Sequence, residues 1–107
     1  MDAQESRSGV LRPALLKVAW GRAAIADIDA LFLFVAADNP AAAERESNRI
    51  LEAAKALGTH AAMGRPGRVA GTRELIVPPY IVAYRVKGEN VQVLRVLHSA
   101  HQWPDAL

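Results

Sequence analysis

The spacing of hydrophobic residues changes along this chain and predicts where its first elements lie. A short apolar run from Ala14 to Trp20 ends at Gly21 and is typical of a β-strand. From Arg22 to about Ala37 the apolar positions recur every three or four residues, which predicts an amphipathic helix. The expected buried stripe of this helix consists of Ile25, Ile28, Leu31, Phe32 and Val35.

A second helix is expected to run from Pro40 to about Leu57. Asn39 is suited to cap its first turn, and proline is favoured at the first helical position. Gly58 is placed to end the helix as a C-cap glycine. The expected buried stripe consists of Ala43, Ser47, Ile50, Leu51, Ala54 and Leu57.

Three further strands are predicted in the second half, at Arg73–Val77, Tyr80–Lys87 and Val91–His98. Pro78-Pro79 forces a turn after the first of them, and Gly88-Glu89-Asn90 is typical of a hairpin turn. The resulting order is β-α-α-β-β-β. It predicts an α+β fold in which a helical hairpin packs on a mainly antiparallel four-stranded sheet.

Length and composition limit the class of protein. The 107 residues suit one small domain, predicted at 14–107, after a polar and flexible lead-in at 1–13. The chain has no cysteine, which excludes disulfides and thiolate metal sites and is compatible with the cytoplasm. No apolar run approaches the ~20 residues of a membrane span, so we expect no membrane partner.

Positive charge is concentrated in the second half of the chain. Residues 60–107 hold six basic and three acidic side chains, whereas residues 13–59 hold five and six. The Gly/Pro-containing linker Thr59–Gly71 is long enough to be a functional loop. The arginines are either solvated or paired with Glu74 and Glu89, or they form a surface that binds carboxylates or phosphates. We favour a binding surface made of Arg65, Arg68, Arg73, Arg85 and Arg95.

The order of several short motifs resembles the RelE/ParE superfamily of bacterial type II toxin–antitoxin toxins over about residues 15–104. The motifs are Ala26-Asp27-Ile28-Asp29, Asp38-Asn39-Pro40, Met63–Val69, Thr72–Leu75, Tyr84-Arg85-Val86, Leu94–His98 and Trp103-Pro104. The ParE-like branch is the more similar one. The resemblance implies a partner antitoxin, ParD-like or other, that wraps and blocks the toxin. It implies DNA gyrase as the target for the ParE-like branch, and cleavage of mRNA on the ribosome for the RelE-like branch.

Cleavage of RNA requires an acid and a base beside a cation cluster. The resemblance implies that RelE-like toxins supply these groups partly from the C-terminal tail. The tail groups are a tyrosine and a basic residue just after the last strand. This tail has no tyrosine, and Ser99 stands where the basic residue is expected. Arg65, Arg85, His98 and His101 remain weak catalytic candidates, and no catalytic residue is assigned.

The first helix has more apolar residues than one buried stripe needs. Leu33 and Phe34 point away from that stripe, so we expect them to form an exposed patch that an antitoxin helix or a second protomer covers. Trp20 and Trp103 are expected mainly to pack, with Trp103 and His98 also candidates for target contact. The pair His98 and His101 lacks a third ligand, so neither a metal nor a cofactor is expected.

The leading hypothesis is therefore a ParE-like toxin that inhibits DNA gyrase without being an enzyme. The first alternative is a RelE-like ribosome-dependent mRNA endoribonuclease. The second is a non-toxic module that binds the antitoxin and serves in autoregulation of its operon.

Overall fold

The strands of this protein assemble into one mixed sheet with two helices packed on it. The computed structural model describes residues 15–100, 103–104 and 106–107. The elements are β1 (Lys17–Trp20), α1 (Arg22–Ala36), α2 (Pro40–Lys55), a 3-10 turn (Ala56–Gly58), β2 (Arg65–Pro66), β3 (Arg73–Val77), β4 (Tyr80–Lys87) and β5 (Asn90–His98). The strand order is β1-β5-β4-β3-β2. Only the β1–β5 pair is parallel, and the predicted α+β class with a mainly antiparallel sheet is confirmed.

The sheet has five described strands rather than the predicted four. Arg65 and Pro66, expected in a loop, pair with Glu74 and Arg73 at the edge of the sheet. A short turn makes this pairing possible, because the amide of Gly67 donates to the carbonyl of Thr72 at 2.7 Å. Glycine and proline content indicated a loop here, but a two-residue edge strand tolerates proline.

The hydrophobic core lies between the helices and one face of the sheet. Most of the stripe predicted for α2 is buried, but Leu51 is 41% exposed and that assignment was wrong. On α1, Ile25 and Phe32 are also exposed, contrary to prediction. The small side chain of Ala24 is fully buried instead, because α1 approaches the sheet with that residue toward the core. The central buried residues are Ala24, Ile50, Ala54, Leu57, Leu75, Val77, Val82, Tyr84, Val91, Val93 and Val96.

Gly58 has a different role from the predicted C-cap. It lies inside the 3-10 turn, is buried and does not adopt a positive φ. Its carbonyl accepts a hydrogen bond from the amide of Leu16 at 2.8 Å. A Cβ added at Gly58 would lie 3.0 Å from the carbonyl oxygen of Leu16. Glycine is therefore favoured by the close approach of the chain entering β1, and not by a left-handed helix end.

Tyr84 of β4 connects the loop before β2 to the core through two hydrogen bonds. The Tyr84 hydroxyl accepts a hydrogen bond from the Gly64 amide at 2.9 Å and donates one to the Ala61 carbonyl at 2.6 Å. The Tyr84 side chain and Gly64 are both buried, so the Gly64 amide depends on the Tyr84 hydroxyl and not on water. These bonds hold residues 61–64 over the core and so place the start of β2.

Replacing Tyr84 with phenylalanine is expected to lower the free energy of unfolding by about 1–3 kcal/mol, because the Gly64 amide loses its buried acceptor. Urea denaturation of the variant and the wild type measures this change. Tyr80→Phe is the matched control, since no hydrogen bond of the Tyr80 hydroxyl is seen among the described residues. Equal effects of the two substitutions would contradict the anchoring role of Tyr84.

Candidate surface for partner binding

Residues that alternate with the core positions form the face of the sheet away from the helices, here called the outer face. On β3, Leu75 and Val77 belong to the core, so Glu74 and Ile76 point outward. Ile76 is 44% exposed, as expected for an outer position, whereas Glu74 is almost completely buried. A buried carboxylate on an outer face requires partners that cover it and satisfy its charge.

Two arginines from the β2–β3 hairpin cover Glu74. Arg65 donates from Nε and Nη2 to Glu74 Oε1, at 3.3 and 3.0 Å. Arg68 donates to Glu74 Oε2 from its backbone amide at 2.8 Å and from Nε at 3.1 Å. The Glu74 side chain is 2% exposed, whereas the Arg65 and Arg68 side chains are 55% and 45% exposed. One buried negative charge thus holds two half-exposed positive charges at the surface.

The electrostatics of Glu74 reflect two opposing effects. Burial raises the pKa of its carboxyl group, but the hydrogen bonds from Arg68 and Arg65 together outweigh burial. The net result is a pKa below the ordinary value of 4.5. Glu74 is therefore ionised at neutral pH, and its role here is to accept hydrogen bonds.

Trp103 of the C-terminal tail joins this group. The guanidinium carbon of Arg68 lies 3.8 Å from the centre of the Trp103 ring, which is a cation–π stack. We call Arg65, Arg68, Glu74 and Trp103 the arginine–tryptophan cluster. Trp103 thus packs, as expected, and does so beside two of the arginines that the sequence analysis singled out.

The other predicted arginines do not join the cluster. Arg73 donates to the Gly64 carbonyl at 2.7 Å, and Arg85 donates from Nε to the side chain of Gln92 at 2.7 Å. Arg95 pairs with Asp27 of α1. The five arginines therefore divide among separate environments, and the ion pair considered for Glu89 is not seen among the described residues.

Asp27 of α1 accepts hydrogen bonds from the part of β5 that is not paired with β1. β1 pairs with Asn90–Val93, and among the described residues no strand pairs with the rest of β5 on that side. Asp27 accepts hydrogen bonds from the Val96 amide at 2.9 Å and from the Arg95 guanidinium at 2.7 and 3.0 Å. The hydrogen bonds that Arg95 donates to Asp27 raise the pKa of Arg95, and burial only partly offsets them. This ion pair ties α1 to the sheet.

Beside this ion pair lies a groove of about 660 Å³ between α1 and β5, here called the α1–β5 groove. Phe34 lines it at 82% exposure, and the neighbouring Leu33 is 70% exposed. His98 is also in the wall, with its ring 5.6 Å from that of Tyr80 in an edge-on contact. His101 lies outside the described residues. The groove and the arginine–tryptophan cluster are thus two surfaces of different chemistry.

Glu74 and Asp27 are the two residues whose importance the sequence analysis underestimated. The signal for Glu74 was visible, because a carboxylate within the strand-like run Arg73–Val77 needs a reason to be there. Among the described residues, no group of three or more histidine, aspartate or glutamate side chains is arranged to hold a metal ion. In the same part of the chain, no helix is both long and apolar enough to cross a membrane.

Comparison with known proteins identifies the class to which this fold belongs. Residues 18–103 match the family model described as the ParE toxin of the type II toxin–antitoxin system parDE. The chain therefore belongs to the ParE toxin family of type II toxin–antitoxin systems, as the resemblance of its motifs implied.

Individual relatives agree with this assignment. The chain is 39% identical over 93 residues to “Putative toxin Y4kP” of Sinorhizobium fredii, covering 85% of this chain and 96% of that protein. It is 30% identical over 86 residues to “Toxin RelE2” of Caulobacter vibrioides, covering 80% and 98% respectively.

Two solved structures share the fold. A chain from the chromosomal ParDE toxin–antitoxin system of P. aeruginosa superposes with a TM-score of 0.73 at 33% identity, covering 79% of this chain and 97% of that chain. A chain of the toxin–antitoxin complex RelBE2 from Mycobacterium tuberculosis superposes with a TM-score of 0.62 at 24% identity, covering 82% and 95%. The second likeness concerns the fold alone.

The lowered pKa of Glu74 predicts how stability depends on pH. A carboxyl group with a depressed pKa in the folded state stabilises the protein above its unfolded pKa, and this contribution is lost as the pH falls through the folded pKa. We expect the free energy of unfolding to decline below about pH 4.5 and Glu74→Gln to flatten that decline. Urea denaturation between pH 2.5 and 7 measures it, with Glu89→Gln as control. A wild-type decline that persists in Glu74→Gln would contradict the assignment.

Proposed function

We propose that this ParE-family toxin inhibits DNA gyrase by binding and is neutralised by a cognate antitoxin. The observation that carries the proposal is the state of the outer face. Arg65 and Arg68 expose about half of each side chain, while the carboxylate that holds them is buried and committed to hydrogen bonds. Such a surface is suited to bind carboxylates or phosphates bidentately.

The same surface is poorly suited to cleave RNA. Cleavage needs a general base and a general acid close to the cations that hold the phosphate. Glu74 is ionised but inaccessible, and its oxygens already accept hydrogen bonds from both arginines. His98 lies in the α1–β5 groove and accepts the Ala100 amide at Nδ1, at 3.0 Å. Binding therefore accounts for these residues better than catalysis does.

The antitoxin is proposed to cover the α1–β5 groove and the exposed patch of Leu33 and Phe34. Two large apolar side chains at 70% and 82% exposure favour a protein partner. An amphipathic helix is the kind of segment that fits an apolar groove of this size. The ParDE chain, at 33% identity, comes from a toxin–antitoxin system, which supports a partner of this type.

A gyrase supercoiling assay with the purified chain tests the target. We expect loss of supercoiling and accumulation of cleaved gyrase–DNA complexes. Arg68→Ala should weaken inhibition at least about tenfold, as loss of an interface arginine typically does. Arg45→Ala is the matched control, because Arg45 is an exposed arginine of α2 outside both surfaces. Normal supercoiling at saturating toxin would contradict the proposal.

The RelE-like alternative is favoured by one observation, the 30% identity to a protein named Toxin RelE2. It predicts codon-positioned cuts in mRNA when the chain is induced alone in bacteria, with DNA intact. It also predicts that His98→Ala or His101→Ala abolishes those cuts. Sequencing of RNA ends after induction distinguishes the two functions, and unimpaired growth with folded protein would support the non-toxic module instead.

Charge in the apolar patch should release the antitoxin. Phe34→Asp is expected to weaken antitoxin binding about 100-fold or more, because it places a charge in a buried apolar contact. Co-purification and titration calorimetry with the cognate antitoxin measure the loss. Leu51→Asp on α2 serves as control, since Leu51 is also an exposed apolar residue but lies outside the groove lining. Equal loss in both variants would place the antitoxin elsewhere.

A further inference from the structure

The contacts of Glu74 continue beyond the two arginines to the C-terminal tail. Glu74 Oε2 accepts both the backbone amide and the Nε of Arg68, so one oxygen fixes the main chain and the side chain of the same residue. These bonds engage the edge of the guanidinium and leave its flat face available. That face covers the ring of Trp103 at 3.8 Å.

Glu74 itself is held by the sheet. It is paired with Arg65 of β2 on one side and with Ala83 of β4 on the other. Ala83 is fully buried, so Glu74 is set among residues with little freedom to move. The pairing of β3 with β2 and β4 therefore sets the position of the Glu74 carboxylate on the outer face.

The loop that carries Arg68 is also constrained. The amide of Gly67 donates to the Thr72 carbonyl at 2.7 Å, and the Thr72 hydroxyl donates to the Val69 carbonyl at 2.6 Å. A Cβ at Gly67 would collide with the Thr72 hydroxyl oxygen, so the turn closes tightly beside Arg68. Arg68 is thus fixed from both its backbone and its side chain.

We infer that Glu74 is a positioning residue which, through Arg68, holds Trp103 against the outer face of the sheet. Trp103 follows the end of β5 by five residues, yet it stacks on an arginine from the β2–β3 hairpin, with β4 between β5 and β3. Trp103 and the two arginines therefore form one surface, whose arrangement depends on a single carboxylate. The effect of this arrangement on gyrase inhibition rests on the proposed function, whereas the position of Trp103 does not.

A positioning role for Glu74 and an ordinary ion pair predict different results when Arg68 is replaced conservatively. Arg68→Lys keeps the positive charge, but an ammonium group is a point charge without the planar face that stacks on the indole ring, so its contact with Trp103 is weaker. The positioning role predicts that this variant releases Trp103 while the protein stays folded. A purely stabilising ion pair predicts that Trp103 stays in place.

Fluorescence of Trp103 tests the inference in the intact chain. Trp20→Phe leaves Trp103 as the only tryptophan, and acrylamide quenching then reports how accessible its ring is. In this background, Glu74→Gln and Arg68→Lys are each expected to shift the docked-to-undocked ratio of Trp103 about fivefold or more toward the undocked state. Glu46→Gln is the matched control, because Glu46 also pairs with an arginine, Arg49, but on α2.

Circular dichroism establishes that each variant is folded before quenching is compared. Arg68 is half exposed, so Arg68→Lys keeps the test decisive if Glu74→Gln does not fold. Increased quenching of Trp103 in the folded variants, with no change in Glu46→Gln, supports the positioning role. Quenching equal to the wild type in folded Arg68→Lys overturns it.

The quenching experiment is independent of the target. Increased quenching together with a wild-type chain that leaves gyrase unaffected would support the positioning role and overturn the proposed function. Where gyrase is inhibited, folded Glu74→Gln is expected to lose at least about tenfold in inhibition, in step with the release of Trp103. Full inhibition by a variant whose Trp103 is released would overturn the connection between tail position and target contact.

Discussion

A single buried carboxylate organises the outer face of this toxin. Glu74 is the second residue of β3 and is buried, so its charge would be costly without compensation. Arg65 and Arg68 supply that compensation from the β2–β3 hairpin. The same hydrogen bonds set the positions of the two exposed guanidinium groups and of the Arg68 face on which Trp103 stacks.

A second carboxylate has a comparable function at the other end of the sheet. Asp27 takes the place that a longer β1 would occupy, and it joins α1 to β5 through Val96 and Arg95. It leaves Phe34 exposed next to the groove. The two carboxylates thus fix arginine side chains, Glu74 on the cationic outer face and Asp27 beside the apolar groove.

Much of the fold was predictable because its signals are local. Hydrophobic spacing placed both helices and the three long strands, and Asn39 caps α2 through its side chain as expected. Local patterns failed where tertiary packing decides. The burial of Ala24 in place of Ile25 depends on how closely α1 approaches the sheet, and the two-residue strand β2 depends on pairing with β3. Composition identified the arginines, but only the sheet register shows which of them Glu74 and Asp27 hold.

Hydrogen–deuterium exchange of the chain mixed with gyrase reports which surface the proposed target covers. We expect slower exchange at 65–74 and in the C-terminal tail, with α1 unchanged. Bound to the antitoxin instead, α1 should be the protected region. Protection by gyrase confined to α1 and the α1–β5 groove, with the arginine–tryptophan cluster unchanged, would contradict the account.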